Sequence, residues 1–202
     1  MIHVNKPRIA ILLFDEVEVL DFAGPLEVFN CVKDVAPKID IDAFTISFRQ
    51  GPVYCRSNLV VIPNQAADFQ VDFNILLIPG GIGTRKILEN PSQLKTIEKL
   101  IKKAELVLTV CTGSLVLAKL GSLKNKAATT HHTCFDFLQQ LEPTTQVIRN
   151  KRFVDEGNIV SAAGISAGID MALFVVKTYY GEEIMQAVKK EMEYDVDENF
   201  AK

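Results

Sequence analysis

One cysteine of four stands where a nucleophile could be presented. The apolar run Leu106 to Val110 (LVLTV) ends at Cys111, and Thr112, Gly113 and Ser114 follow before the helical run Leu115 to Leu120. Strand, nucleophile, small residues and helix make a nucleophile elbow with cysteine in place of serine. Such a turn lifts the residue clear of its sheet, and the helix start behind it directs N–H groups and a positive dipole end toward the sulfur, a field that favours the reactive thiolate. The competing expectation is that Cys111 packs as a small inert hydrophobe, the ordinary fate of a free cysteine.

Two other segments offer partners. Asp21 lies in VLDFAGP between Leu20 and Phe22, so a partly buried carboxyl could donate a hydrogen bond when protonated or accept one when ionised. Its plainer role is to cap a helix entered at Gly24 and Pro25. Pro79, Gly80 and Gly81 close the apolar run NILLI (Asn74 to Ile78) and could be only a sharp turn. The functional expectation is that backbone N–H groups here form part of an oxyanion hole, with Gly81 and Thr112 as donors. The Thr112 hydroxyl could relay a hydrogen bond but is no strong base near neutral pH. His131 and His132 are the only histidines besides His3, and spacing alone does not bring either to Cys111.

The surrounding pattern says how these segments would meet. Arg8 to Phe14, Asn74 to Ile78 and Leu106 to Val110 are continuous apolar runs, as in strands buried on both faces. Helical stretches are read at Ala23 to Val32, Pro91 to Lys103, Leu115 to Leu120, Phe135 to Leu141, Asp170 to Tyr180 and Glu182 to Met192. Further strands are expected at Ile41 to Phe48, Lys126 to Thr130, Gln146 to Phe153 and Asn158 to Ala162, with a short hairpin over Pro52 to Pro63. Alternating strands and helices predict a single α/β domain over residues 1–202, a three-layer sandwich with a mostly parallel central sheet of the flavodoxin-like type. Ligands in such sheets gather beyond the C-terminal strand ends. The loops Asp15 to Gly24, Pro79 to Thr84 and Cys111 to Ser114 all fall there.

Composition narrows the partners. With 202 residues and 48% hydrophobic residues, one core is the expectation. The 22 basic and 25 acidic residues give a net charge of −3 without a basic cluster, which disfavours nucleic acid. The apolar segment after Pro7 is too short for a signal peptide or a membrane span, so a cytoplasmic protein without a membrane partner is expected. Cys31, Cys55, Cys111 and Cys134 are irregularly spaced with no CxxC pair, which argues against a structural metal or disulfides.

Taken in order, LLFDEVEVLDFAGPLEVF, LLIPGGIGTR, VCTGSLVLAKLGSLKNKAATTHH, GISAGIDMAL and EMEYD resemble the ThiJ/PfpI superfamily of the class I glutamine amidotransferase-like fold, and within it the isonitrile hydratase branch. The resemblance implies Cys111 as nucleophile, Asp21 as its acidic partner and Thr112 as the adjoining hydroxyl. Gly164 and Ile165, in GISAGIDMAL, would border the site together with Gly80 and Gly81. Relatives with protease-like or glyoxalase-like chemistry commonly carry histidine after the cysteine, and Thr112 in that place favours the hydratase branch. The implied reaction turns a small-molecule isonitrile and water into an N-substituted formamide, with no cofactor, in a homodimer. Aldehyde or amide chemistry, a redox-sensing thiol, and the ligand-sensing half of an AraC-type regulator are the alternatives. The last is expected less, since those regulators carry a helix-turn-helix region after the sensing domain and the sequence ends at Lys202.

Overall fold

The computed structural model describes residues 6–67 and 70–194. Along the chain, β1 (Arg8–Leu13) leads to α1 (Val19–Val35), and β2 (Asp42–Ser47) to a hairpin of β3 (Val53–Tyr54) and β4 (Val60–Val61), followed by β5 (Gln65–Ala66). Next come β6 (Ile75–Ile78), α2 (Thr84–Leu88), α3 (Pro91–Lys103), β7 (Leu106–Val110) and α4 (Gly113–Lys119). The order continues with β8 (Ala127–Ala128), α5 (Phe135–Leu141), β9 (Gln146–Val147), β10 (Phe153–Asp155), β11 (Ile159–Ala162), α6 (Ala167–Tyr180) and α7 (Glu182–Glu191).

The central sheet has seven strands in the order β10-β11-β7-β6-β1-β2-β5. Every pairing in it is parallel except β10 with β11. β6 and β7 are buried at every residue and β1 at all but Arg8, because helices cover both faces. α1, α6 and α7 pack on one another as one layer, while α2 contacts both α3 and α4, and α4 contacts α5, in the other. This is the α/β sandwich the alternating pattern predicts. Among the described residues no helix is long and apolar enough to cross a membrane.

Several elements depart from the sequence reading. α1 starts at Val19 rather than Ala23, so Gly24 and Pro25 lie inside it. Pro25 cannot donate to the carbonyl four residues back, that of Asp21, but Phe22, Val28, Phe29 and Val32 bury the helix regardless. The reason for glycine there is packing: a Cβ on Gly24 would lie 2.9 Å from Ile169 Cγ1, and one on Gly168 3.2 Å from Pro25 Cγ, so α1 and α6 cross in close contact. The segment expected as one strand over Gln146 to Phe153 is divided by the polar stretch Arg149 to Lys151: β9 pairs with β8 in a separate ladder, and β10 joins the main sheet. α2 and β5, of five and two residues, are too short to have shown a period.

Asn90 caps α3, its side chain accepting from Ser92 N at 3.1 Å and Gln93 N at 3.2 Å, with Pro91 at the first helical position. Replacing Asn90 by alanine should lower unfolding free energy by about 1 kcal/mol in urea denaturation. An unchanged midpoint would show that α3 is held by its buried face alone.

Candidate active site

β7 ends beside both β6 and β11, and the chain turns into α4 through Cys111, whose φ of 56° is left-handed. That conformation costs a non-glycine residue on the order of 1 kcal/mol, so the surroundings must impose it. They do so from both sides. The Cys111 N–H faces the carbonyls of Ala162 at 3.1 Å and Ala163 at 2.8 Å. Its own carbonyl accepts from Ser114 Oγ at 3.1 Å and Thr130 Oγ1 at 2.8 Å. Gly113 is required for a different reason, since a Cβ there would sit 2.1 Å from the Ile78 carbonyl oxygen.

Asp21 is the third residue of α1 and fully buried. The cap of α1 is Glu18, without a side-chain hydrogen bond, so the plain capping role considered for Asp21 is replaced by one inside the protein. Its Oδ2 accepts from Gly80 N at 2.9 Å. Its Oδ1 is buried and has no hydrogen-bond partner among the described residues. The Cys111 thiol and the Ile165 N–H also face the carboxyl, and both favour its charged form.

Burial pushes the Asp21 carboxyl up to about 7, the Gly80 N–H opposing this and the negative charge of Glu18 adding to it. Burial, then the charge of Asp21, pushes the Cys111 thiol up to about 12, while the Thr112 N–H pulls it back. The thiolate-favouring field expected of the helix start is thus present through Thr112 but outweighed. Each charged form disfavours the other: below about 7 the pair carries two protons, and above it the carboxyl is ionised while the thiol keeps its proton.

Gly80 is the junction of three segments: a Cβ there would be 2.6 Å from Thr112 N and 2.8 Å from both Asp21 Oδ2 and Cys111 Cβ. Gly81, at φ 123°, leaves no room either, with Glu16 O 2.3 Å from where its Cβ would be. The Gly81 N–H donates to Thr112 Oγ1 at 3.0 Å, and that hydroxyl donates back to the Gly81 carbonyl at 3.1 Å. Both glycine amides are therefore engaged within the protein and are not free oxyanion donors, which corrects the expectation for Gly80 and Gly81. The Thr112 hydroxyl likewise locks the Pro79–Gly81 turn rather than relaying a bond to sulfur, and its N–H is the donor that faces Cys111.

Gly164 packs on His131, where a Cβ would meet Cδ2 at 2.4 Å, and Ile165, left-handed at φ 52°, borders the site with its side chain partly exposed. Cys111, Thr112, Ile165 and His131 line one cavity of about 330 Å³. His131 Nδ1 pairs with Thr133 Oγ1 at 2.8 Å, and burial, then the neighbouring His132, holds its ring below the usual histidine range. Among the described residues no hydrogen bond joins Cys111 to either histidine. A groove of about 960 Å³ beside Phe174 and one of about 420 Å³ beside Phe14 are larger, but neither is lined by a cysteine. No group of three or more His, Cys, Asp or Glu among the described residues could hold a metal ion.

The cavity also contains side chains the sequence reading did not single out. Arg56 reaches Glu18 at 2.7 Å, Arg85 enters from α2, and Cys134, expected to be an inert core residue, is buried yet lines the same space. Glu18 could have been noticed for lying one helical turn before Asp21. Arg85 and Cys134 sit in segments with no distinguishing period.

Comparisons with known proteins agree with this arrangement. The sequence profile of the DJ-1/PfpI family matches residues 7–178. The isonitrile hydratase of Pseudomonas putida is 34% identical over 188 residues, 93% of this chain and 78% of that protein. The HTH-type transcriptional regulator GbdR of Pseudomonas aeruginosa is 21% identical over 191 residues, 95% of this chain but 52% of the regulator. A ThiJ/PfpI family protein of solved structure from Pseudomonas syringae superposes with a TM-score of 0.84 at 26% identity, covering 95% of this chain and 76% of its own.

The raised Asp21 carboxyl has a stability consequence. Between its ordinary value of 3.8 and about 7 the folded protein keeps a proton that the unfolded chain releases. Asp21 therefore lowers stability as pH rises through that window, by a few kcal/mol in order of magnitude. Asp21→Asn should remove this contribution, so that urea unfolding at pH 8 shows the variant stabilised relative to its own comparison with wild type at pH 4. Parallel pH dependences for the two proteins would sink the assignment.

Proposed function

We propose that this chain, which belongs to the DJ-1/PfpI family, is a cysteine-dependent hydratase converting an isonitrile and water into an N-substituted formamide. The observation that carries the proposal is the buried Asp21 carboxyl set beside Cys111 across Gly80, where a Cβ would lie 2.8 Å from both, with Cys111 lining the cavity, supported by the 34% identity to an isonitrile hydratase over 93% of the chain. Hydration of an isonitrile asks for this pairing. The terminal carbon first accepts a nucleophile and then, bearing the lone pair, must receive a proton on the same atom.

With Asp21 ionised, its carboxylate takes the thiol proton as Cys111 Sγ bonds to the isonitrile carbon, and that proton then moves from Asp21 to the same carbon, leaving a thioimidate, R–N=CH–S–Cys111. Asp21, now a carboxylate, takes a proton from a water molecule as the water oxygen adds to the same carbon. The nitrogen is protonated in turn, the C–S bond breaks, and R–NH–CHO departs with the sulfur and acid back in their starting forms. Atoms balance with one isonitrile and one water, and the scheme draws on no metal or organic cofactor. The Thr112 N–H, facing Sγ, favours the thiolate at the start and the leaving sulfur at the end.

Amide hydrolysis is a weaker fit because it needs a base that activates the nucleophile, and Thr112 stands beside Cys111 with neither histidine bonded to it. A ligand-sensing role is the second reading, favoured by the match to a transcriptional regulator across 95% of this chain. The hydratase reading carries with it a homodimer acting on a small molecule in the cytoplasm, without nucleic-acid or membrane partners.

Incubation with a simple alkyl isonitrile such as cyclohexyl isocyanide should yield the formamide, detected by chromatography. Cys111→Ala should reduce the rate by roughly a thousandfold or more, and Asp21→Asn should reduce it without abolishing binding. Absence of turnover across several isonitriles would remove the hydratase assignment and leave the sensing role.

A further inference from the structure

The chain has six arginines, at positions 8, 49, 56, 85, 149 and 152. Five of them hold a carboxylate within 4 Å: Arg8, Arg49, Arg56, Arg149 and Arg152. Arg85 does not have one among the described residues, and it is an arginine that shares a cavity with Cys111. Glu18, in the same cavity, is already paired with Arg56, and Glu16, which also lines it, forms no ion pair with Arg85.

Arg85 is nonetheless fixed in place. Its Nη1 donates to Thr84 Oγ1 at 3.0 Å and its Nη2 to Cys134 Sγ at 3.1 Å. The guanidinium carbon stands 5.7 Å from the centroid of the Phe137 ring, a cation–π contact. Thr84 Oγ1 is in turn within reach of the Thr112 hydroxyl at 3.2 Å, so the guanidinium is tied through two side chains to the residue next to the nucleophile. A guanidinium has five N–H donors, and two are used in these bonds. A half-buried, preorganised cation lacking a counter-ion is the arrangement that recognises a planar anion.

We propose that this cavity takes a substrate bearing a carboxylate, gripped by Arg85 while the reacting carbon meets Cys111. Given the hydratase reading, on which this substrate class rests, the substrate is an isocyano-carboxylate, R–N≡C with a carboxylate on R. The arginine is a binding residue and takes no part in the bond changes.

The probe is a pair of alkylating agents of nearly equal size, iodoacetate and iodoacetamide, which differ in the negative charge. In both, Cys111 sulfur bonds to the CH2 carbon, iodide leaves, and the thiol proton passes to solvent. Rates at Cys111 are followed by peptide mass spectrometry, and the ratio of the two rates cancels any change in thiol reactivity. Relative to the same ratio for glutathione, wild-type protein should favour iodoacetate by roughly tenfold or more. Arg85→Gln should bring the ratio down to that of glutathione, and Arg85→Lys, which keeps the charge, should retain part of the preference. A ratio that Arg85→Gln leaves unchanged while the variant stays folded overturns the proposal.

A second arm separates this outcome from that of the hydratase reading. Isocyanoacetate should be turned over with a higher kcat/KM than its ethyl ester, and Arg85→Gln should remove the difference mainly through KM. Turnover of both compounds with no preference for the acid overturns the carboxylate site while sustaining the hydratase. An Arg85-dependent alkylation ratio with no isonitrile turnover sustains the anion site and overturns the hydratase.

Discussion

A carboxyl group and a thiol held close together out of water cannot both be charged, and the rest of the site is arranged around that constraint. Asp21, Gly80 and Cys111 come from segments far apart in sequence, and they meet because β1, β6 and β7 are consecutive neighbours in the sheet with parallel registers. Parallel pairing brings the three C-terminal ends to one rim, where α1, the Pro79–Gly81 turn and the Cys111 elbow begin. The separation between acid and sulfur is then set by an absent atom. With any side chain at residue 80, a Cβ 2.8 Å from both partners would force them apart. The costs are a buried acid, a left-handed cysteine and an unsatisfied Oδ1, the kind of local strain that a well-packed core can sustain at a working site.

The peripheral pieces make sense as supports for that rim. The β3–β4 hairpin lies outside the main sheet, yet it binds the loop leading into α1: Glu16 N donates to the Tyr54 carbonyl at 2.7 Å and Arg56 N to the Val17 carbonyl at 3.0 Å. Glu18 N donates to the Gly80 carbonyl at 3.0 Å, closing the loop onto the glycine turn. The hairpin thereby delivers Arg56 to Glu18, whose negative charge contributes to raising the Asp21 carboxyl. The hairpin thus walls the cavity and holds the Glu18 carboxylate in an ion pair with Arg56.

How much of this was legible beforehand follows the range of the forces involved. Continuous apolar runs marked β1, β6 and β7, and Pro91 with the stripe Leu94, Ile97, Leu100 and Ile101 marked α3, because burial and helix entry are written locally. Cys111 and Asp21 could be singled out from their immediate neighbours. The start of α1 could not, since Pro25 usually opens a helix and only the close crossing with α6 explains its interior place. The role of the glycines was half readable: a sharp turn was expected at Gly80 and Gly81, but whether their N–H groups point to a ligand or to Asp21 and Thr112 depends on partners about sixty and thirty residues away. Arg85 was invisible because an arginine in a five-residue helix is ordinary. What sets it apart is the lack of a counter-ion, a property of the folded surroundings.

The pairing of Asp21 with Cys111 also bears on why an acid, and not a histidine, stands against the sulfur. An imidazole beside a thiol yields a stable ion pair, a permanent thiolate with its proton parked on nitrogen, suited to acyl chemistry where the leaving group collects that proton. A carboxyl raised to about 7 by burial gives up its proton more readily once the neighbouring sulfur loses its charge by bonding to carbon. The acid therefore releases its proton at the moment that the attacked carbon becomes basic. Reactions that add a nucleophile and a proton to one atom gain from this timing, and those that only need a strong nucleophile do not. This physical distinction favours hydration of an isonitrile carbon over hydrolysis of an amide at the same cysteine.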